Sequence, residues 1–342
     1  MINKKPIKQI TTRVRRTYRG GRMLGGFLGE PSPEDGFTPE DWISSFTEAK
    51  NRDPIKNEGI SLVNTDGGRR LITDAVETED FGEGRSESGV LIKLLDAGER
   101  LGIQVHPTKE YARRVFASEY GKTECWHILD TRDDTPCGAA VYLGFKPHVT
   151  RELWRELYLR QDTEGMLNAM HRFEVTRGDT VLVTGGTPHA IGEGCFMLEI
   201  QEPSDYTMRV EKITLAGERL TPQQIHYGVG EELMLDCFDY TPLTEEEIKK
   251  RFFLKPRSGF GGEIKLVGEE DTECFGLSLV DGGSYSACER FCVTLVFTED
   301  GGELISGDRK EKPRRGDRYF VPADTPFTLT GAVALICYPP KK

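Results

Sequence analysis

Apolar residues along this chain fall into short β-branched runs separated by glycine, proline and charged turns, with little of the three-to-four spacing that marks a helix. "ISLVNTDGGRRLIT" reads as a hairpin closed by a Gly-Gly turn, while "GVLIKLLDAGERLGIQVH" and "CVTLVFTEDGGELI" read as further strands. Glycine occurs 38 times and proline 18 times, enough to punctuate many short strands, so the pattern predicts a mainly β protein built as sandwiches or barrels. Helical signals are local. "TKEYARRVFASEYG" starts on Thr108 as an N-cap, "ELWRELYLR" places Leu153 and Leu157 on one stripe, and "DTEGMLNAM" follows, which predicts a small helical insertion over about 149–171. "LTEEEIKKRF" carries a capping box, Thr244 with Glu247, and predicts a linker helix between two β domains.

One phrase occurs twice. "RGDTVLVTGGTPHAIG" starts at Arg177 and "RGDRYFVPADTPFTLTG" at Arg315, and in both the Thr-Pro step stands at the same distance from Gly-Asp. His189 and Phe327 are therefore equivalent positions, about 138 residues apart. Two matched turn-strand-turn units predict two related β domains, 1–237 and 238–342, rather than a solenoid. The first copy keeps a histidine that chemistry could use; the second has a packing residue there.

Composition narrows the partners. With 45 Lys plus Arg against 56 Asp plus Glu, the chain is acidic, which argues against a nucleic-acid binder. A phosphorylated small molecule stays open, because two or three local cations hold one phosphate. The first 22 residues are basic but contain no apolar core, which argues against a secretory signal, and no window approaches the roughly 20 apolar residues of a membrane span. Eight cysteines without a Cys-x-x-Cys pair predict reduced, mostly buried thiols in a cytoplasmic protein; Cys288 and Cys292 read as four apart in one strand-like run, too distant to bridge.

The chemistry-bearing residues follow from strand alternation. Gln104 and His106 share a face, as do Lys122, Glu124 and Trp126, whereas His127 points the other way as a structural histidine. His189 follows a Gly-Gly-Thr-Pro turn that fixes its ring at a strand mouth. Together Gln104, His106, Glu124 and His189 make a candidate divalent-metal site whose two imidazoles, carboxylate and amide oxygen suit zinc with one position open. Glu110 is a rival ligand, although an acid in the first turn of a helix is ordinary. Farther on, Glu199 falls on the less apolar face of its strand; Asp205, Thr207 and Arg209 share a face; Lys93 interrupts the apolar run "VLIKLL", which suits an anion ligand or a snorkelling lysine.

"ERLGIQVHPTKEYA", "KTECWHILD" and "GTPHAIGEGCFMLEIQEPSDYTMR" resemble the type I phosphomannose isomerases (mannose-6-phosphate isomerases) in their shorter bacterial form, chiefly from Lys93 to Arg209. "YRGGRMLGG" and "PEDWISS" look like that family's opening motifs. The resemblance implies two cupin jelly-roll barrels, only the first holding metal, with one Zn2+ per chain on Gln104, His106, Glu124 and His189. It implies catalytic roles for Arg209, Lys122, Glu199 and Asp205, and substrate binding by Lys93 and Trp126. The implied reaction interconverts mannose 6-phosphate and fructose 6-phosphate through a cis-enediolate, in a monomer or small homo-oligomer. Departures from the family include Gly102 where serine is common, Cys125 for methionine, and the extra arginines Arg19 and Arg22. The competing readings are an isomerase of another phosphorylated sugar, a non-haem iron cupin oxygenase leaning on Glu110, and a non-catalytic sugar-phosphate-binding cupin.

Overall fold

The structure is a computed structural model that describes residues 4–65 and 67–341. It is mainly β, as the alternation predicts, with antiparallel sheets arranged in two pairs. In the first pair a seven-stranded sheet runs in the order Phe253–Leu254, Thr180–Val183, Glu124–Thr131, Cys195–Gln201, Leu91–Asp96, Glu40–Ile43, Arg13–Val14. It faces a five-stranded sheet ordered Met170–Glu174, Ala140–Phe145, His189–Ile191, Gln104–Val105, Met208–Arg209. Between them lie Leu95, Trp126, Val141, Leu143, Val181, Ile191 and Met197. The second pair sets a nine-stranded sheet against a four-stranded one around Leu295, Phe297, Tyr319, Phe327 and Leu329.

Strand alternation explains how the two barrels stack. In Cys195–Gln201 the side chains of Phe196, Leu198 and Ile200 leave the first barrel and pack with Leu277, Val296 and Leu335 of the second, while Met197 points inward. A strand buried on both faces therefore reads as a continuous apolar run broken only at Glu199. The division at 237/238 remains a proposal for the two barrels, and strands are exchanged across it: Ile7–Ile10 pairs with Arg318–Val321 and carries Leu62–Thr65 and Gly68–Leu71 into the nine-stranded sheet, and Phe253–Leu254 pairs with Thr180–Val183.

The repeated phrase folds twice in the same way. Gly178 and Gly316 both have positive φ (96° and 84°), which favours glycine. Asp179 accepts from the Thr176 N–H at 2.7 Å and Asp317 from the Arg314 N–H at 3.0 Å, the same turn three residues back. Each copy then runs up the larger sheet of its barrel and returns, after Thr-Pro, in the smaller one. His189 thus faces the interior of the first barrel, and Phe327 fills that of the second.

Local expectations hold with adjustments. Thr108 caps Lys109–Phe116, Thr150 caps Arg151–Arg160, and Thr244 and Glu247 form the capping box of Glu245–Phe252. The insertion is two helices, Arg151–Arg160 and Thr163–Asn168, and ends before Met170, which begins a strand. Its buried stripe is Trp154 and Tyr158 rather than Leu153 and Leu157, because the larger aromatics turn into the core and leave the leucines half-buried. The hairpin strands are Leu62–Thr65 and Gly68–Leu71. Cys288 and Cys292 lie in the connection between Ser284–Ala287 and Val293–Phe297, not in one strand, and all eight cysteines are free.

Candidate metal centre and cleft

Three neighbouring strands and one turn bring the candidate ligands together. His189 pairs directly across from Gln104 in the small sheet, and Glu124 begins the strand that lies against Thr180–Val183 in the large one. His106 Nε2 stands 3.1 Å from Glu124 Oε2 and His189 Nε2 3.7 Å from Glu124 Oε1, all buried. His106, Glu124 and His189 form a group whose ligand atoms lie within 4.8 Å of one another. Each imidazole is oriented by a backbone carbonyl: Nδ1–H of His106 donates to Tyr206 O at 2.9 Å, and that of His189 to Thr187 O at 2.9 Å. This leaves both Nε2 lone pairs facing one carboxylate, the arrangement by which outer partners aim metal-binding histidines. Gln104 flanks the group with its amide nitrogen 3.2 Å from His189 Nε2 and offers its oxygen by turning that amide.

The donor set fits a divalent cation. Glu124 Oε2 has the Lys122 ammonium at 2.8 Å yet accepts no well-directed hydrogen bond, so a buried anionic oxygen is left for a further positive partner. Burial would raise the Glu124 carboxyl, but the Lys122 ammonium holds it well below the usual range. Burial, with Lys122 donating to Nε2 at 2.8 Å, pushes His106 down to about 3, and burial lowers His189 as well, so both rings are neutral donors. Trp126 lies beneath this floor, fully buried, its Nε1–H donating to Glu124 Oε1 at 2.9 Å. It steadies the carboxylate and does not line the cleft.

Beside this cluster opens a cleft walled by Lys93, Lys122, Glu199, Asp205 and Arg209, residues to which the motif resemblance gives site roles. Lys93 stands directly across from Glu199 in adjacent strands, and the buried pair meets at 2.8 Å. Burial opposes the Lys93 charge but Glu199 and Glu40 outweigh it, raising its pKa. Burial, then Glu124, raises that of Glu199. Asp205 is held well below the carboxylate range: burial would raise it, and Arg16 and Lys93 overcome that. Arg209 donates to Gln224 O at 2.7 Å and, among the described residues, has no carboxylate within ion-pair distance. Gly102 also lines the cleft, and a Cβ there would find only Glu211 Oε1 at 3.8 Å, so a side chain has room.

Other residues resolve differently. Glu110 is exposed in the first turn of Lys109–Phe116, outside the cluster. His127 is the structural histidine expected, with Nδ1 2.9 Å from Thr180 Oγ1. Arg19 and Arg22 are exposed, Arg22 pairing with Asp134. Sequence reasoning missed Arg16, Tyr18 and Glu40, which line the cleft. Glu40 accepts from Tyr18 Oη, Arg16 Nε and Trp42 Nε1 at 2.7–2.8 Å. The signal available was the opening motif. The Gly20 backbone packs so closely on Asp96 O that a Cβ would fall 1.9 Å from it, while Asp96 Oδ2 accepts from the N–H groups of Gly21, Met23 and Leu24. The glycines pin this segment to the barrel's rim.

A buried two-histidine, one-carboxylate cluster that could hold a metal ion, joined through Gln104 and Lys122 to a charged cleft, in the first of two stacked antiparallel barrels, is the arrangement that the motif resemblance implies. No family model matches the chain. Its sequence is similar to that of YvyI from Bacillus subtilis, provisionally named a mannose-6-phosphate isomerase, with 28% identity over 93% of both chains. It is 38% identical to the mannose-6-phosphate isomerase of Streptococcus mutans over 56% of each. The crystal structure of the mannose 6-phosphate isomerase from Bacillus subtilis superposes with a TM-score of 0.75 at 25% identity, covering 97% of this chain and 98% of that one. The chain is thus similar over nearly its whole length to proteins named mannose-6-phosphate isomerase, and the resemblance read from its motifs extends through both barrels.

Proposed function

We propose that this chain interconverts mannose 6-phosphate and fructose 6-phosphate, moving a proton between C1 and C2 through a cis-enediolate, with one zinc ion on Gln104, His106, Glu124 and His189. The observation that carries the reading is the pair of neutral imidazole Nε2 atoms aimed at one buried carboxylate, next to Gln104 and Lys122, which line a cleft of ionisable groups. When bound, a dication supplies Lewis acidity that polarises a carbonyl oxygen.

The chain's own groups supply the rest. Arg209, which among the described residues has no carboxylate within ion-pair distance, stabilises negative charge on the sugar oxygens, aided by Lys122. Glu199 is the better proton shuttle: a carboxyl lifted toward the working pH gives and takes a proton more readily than one held far below it. Asp205, ionised throughout, accepts hydrogen bonds from sugar hydroxyls. Lys93 is the phosphate-side cation, and Trp126 acts indirectly by holding Glu124. The test is an assay of metal-replete and chelated protein on mannose 6-phosphate, glucose 6-phosphate and unphosphorylated mannose. Turnover of the first alone, lost with the metal, is expected; turnover that survives chelation would sink the metal assignment.

A further inference from the structure

Arg16 comes from outside every stretch whose strand pattern pointed to chemistry, yet its guanidinium stands in the cleft wall with its side chain only 10% exposed. Its Nη1 and Nη2 donate to Asp205 Oδ2 and Oδ1, both at 3.3 Å, and its Nε donates to Glu40 Oε2 at 2.8 Å. The guanidinium carbon lies 4.9 Å from the centre of the Trp42 ring. Asp205 Oδ2 accepts once more, from the Lys50 N–H at 3.0 Å. Asp205 itself sits in an irregular stretch between Cys195–Gln201 and Met208–Arg209, where no sheet ladder fixes its backbone. Both its carboxylate oxygens are therefore directed by groups from another part of the chain.

We propose that Arg16 is a positioning residue for the reaction proposed above: it holds the Asp205 carboxylate in one orientation toward the bound sugar. The planar fork suits this task, since two parallel donors fix a carboxylate's rotation as well as its place, which a lysine's single ammonium does not. Glu40 and Trp42 in turn fix the fork, so the chain of contacts runs from the sheet through Arg16 to Asp205. The strap that delivers Arg16 is anchored on both barrels. Ile7–Ile10 is paired in the second barrel, Arg13–Val14 pairs with Glu40–Ile43 of the first, and Arg16 enters the cleft two residues later.

This inference rests on the isomerase reading, and its test separates the two. Arg16→Met keeps the length of the side chain and removes the fork. In the crystal structure of that variant the Asp205 carboxylate should leave its place while His106, Glu124 and His189 keep theirs. Turnover of mannose 6-phosphate should show kcat reduced on the order of 10²-fold with KM changed less than about threefold, as expected when a group is misplaced by about an ångström. Arg16→Lys should be intermediate, and millimolar guanidinium should restore part of the activity of Arg16→Ala, which a merely structural loss would not allow. An unmoved Asp205, an unchanged kcat, or a loss of activity accompanied by collapse of the metal cluster would each overturn the proposal. A wild-type protein without activity on mannose 6-phosphate would reject the isomerase reading instead, and the position of Asp205 in Arg16→Met would still decide the role of Arg16.

Discussion

Each imidazole of the cluster is oriented before any ligand arrives, because its Nδ1–H is held by a backbone carbonyl and only Nε2 is left to face Glu124. His189→Ala should therefore lose bound metal as well as turnover while the sheets persist, measured as metal per chain after gel filtration and by far-ultraviolet circular dichroism. Arg209→Ala should lower kcat by about 10²–10³-fold and raise KM far less if it serves developing charge; poorer KM at equal kcat would show that it only holds substrate. His127 reports on pH away from the metal. Burial pushes its pKa down to about 4 from 6.5, so between those values the unfolded chain takes up a proton that the folded one does not. Stability should fall as pH drops through that window, by roughly 1.4 kcal/mol per unit of pKa difference. His127→Gln should flatten the dependence of Tm on pH between 7 and 4, and an unchanged slope would show that other groups dominate. These residues were legible because a strand has a period of two: Gln104 with His106, and Lys122 with Glu124 and Trp126, could be sorted by counting. Arg16 was not, since an irregular strap has no period to count.

Elements show the same divide between regular and irregular backbone. Thr108 and Thr244 announced their helices, because a capping hydroxyl reaches the N–H three residues on by local geometry alone. Thr221-Pro222 with Gln224 carries an equally readable capping box and Pro at N1, but its helix, Pro222–His226, is one turn long and has too few apolar positions to show a stripe. The opening motif illustrates what composition hides. Gly20 is needed not for a special φ but for close approach to Asp96 O, which only tertiary structure reveals. Gly20→Ala should cost about 1–3 kcal/mol by overpacking, read from chemical denaturation, and should weaken turnover together with stability because it displaces the strap that carries Arg16. A neutral Gly20→Ala would mean that the strap tolerates a shift at the rim.

For the whole molecule, the repeated phrase foretold two barrels and their difference at a single equivalent position, His189 against Phe327. It did not foretell how they are joined. That depends on pairings between residues hundreds of positions apart, which no local pattern records. The junction contains a buried ion pair in which Arg318 Nη2 donates to Asp41 Oδ2 at 2.6 Å, and Asp41 also accepts from the Thr12 N–H at the base of the strap. Removing one partner leaves an unpaired buried charge, so Arg318→Met should destabilise by about 3–5 kcal/mol. Because that charge sits beneath the strap, the variant should also lose kcat although residue 318 belongs to the second barrel. Unfolding curves and kinetics on the same preparation check both; full activity at reduced stability would show that the second barrel supports the first without shaping its cleft.

The exchange of Ile7–Ile10 into the C-terminal sheet has a consequence for synthesis. This strand emerges from the ribosome long before its partner, so one of its two edges stays open until Arg318–Val321 has followed. The candidate metal ligands, all encoded before residue 190, can meet much earlier. A nascent chain can thus bring its candidate ligands together well before the strap that carries Arg16 is tied down at both ends.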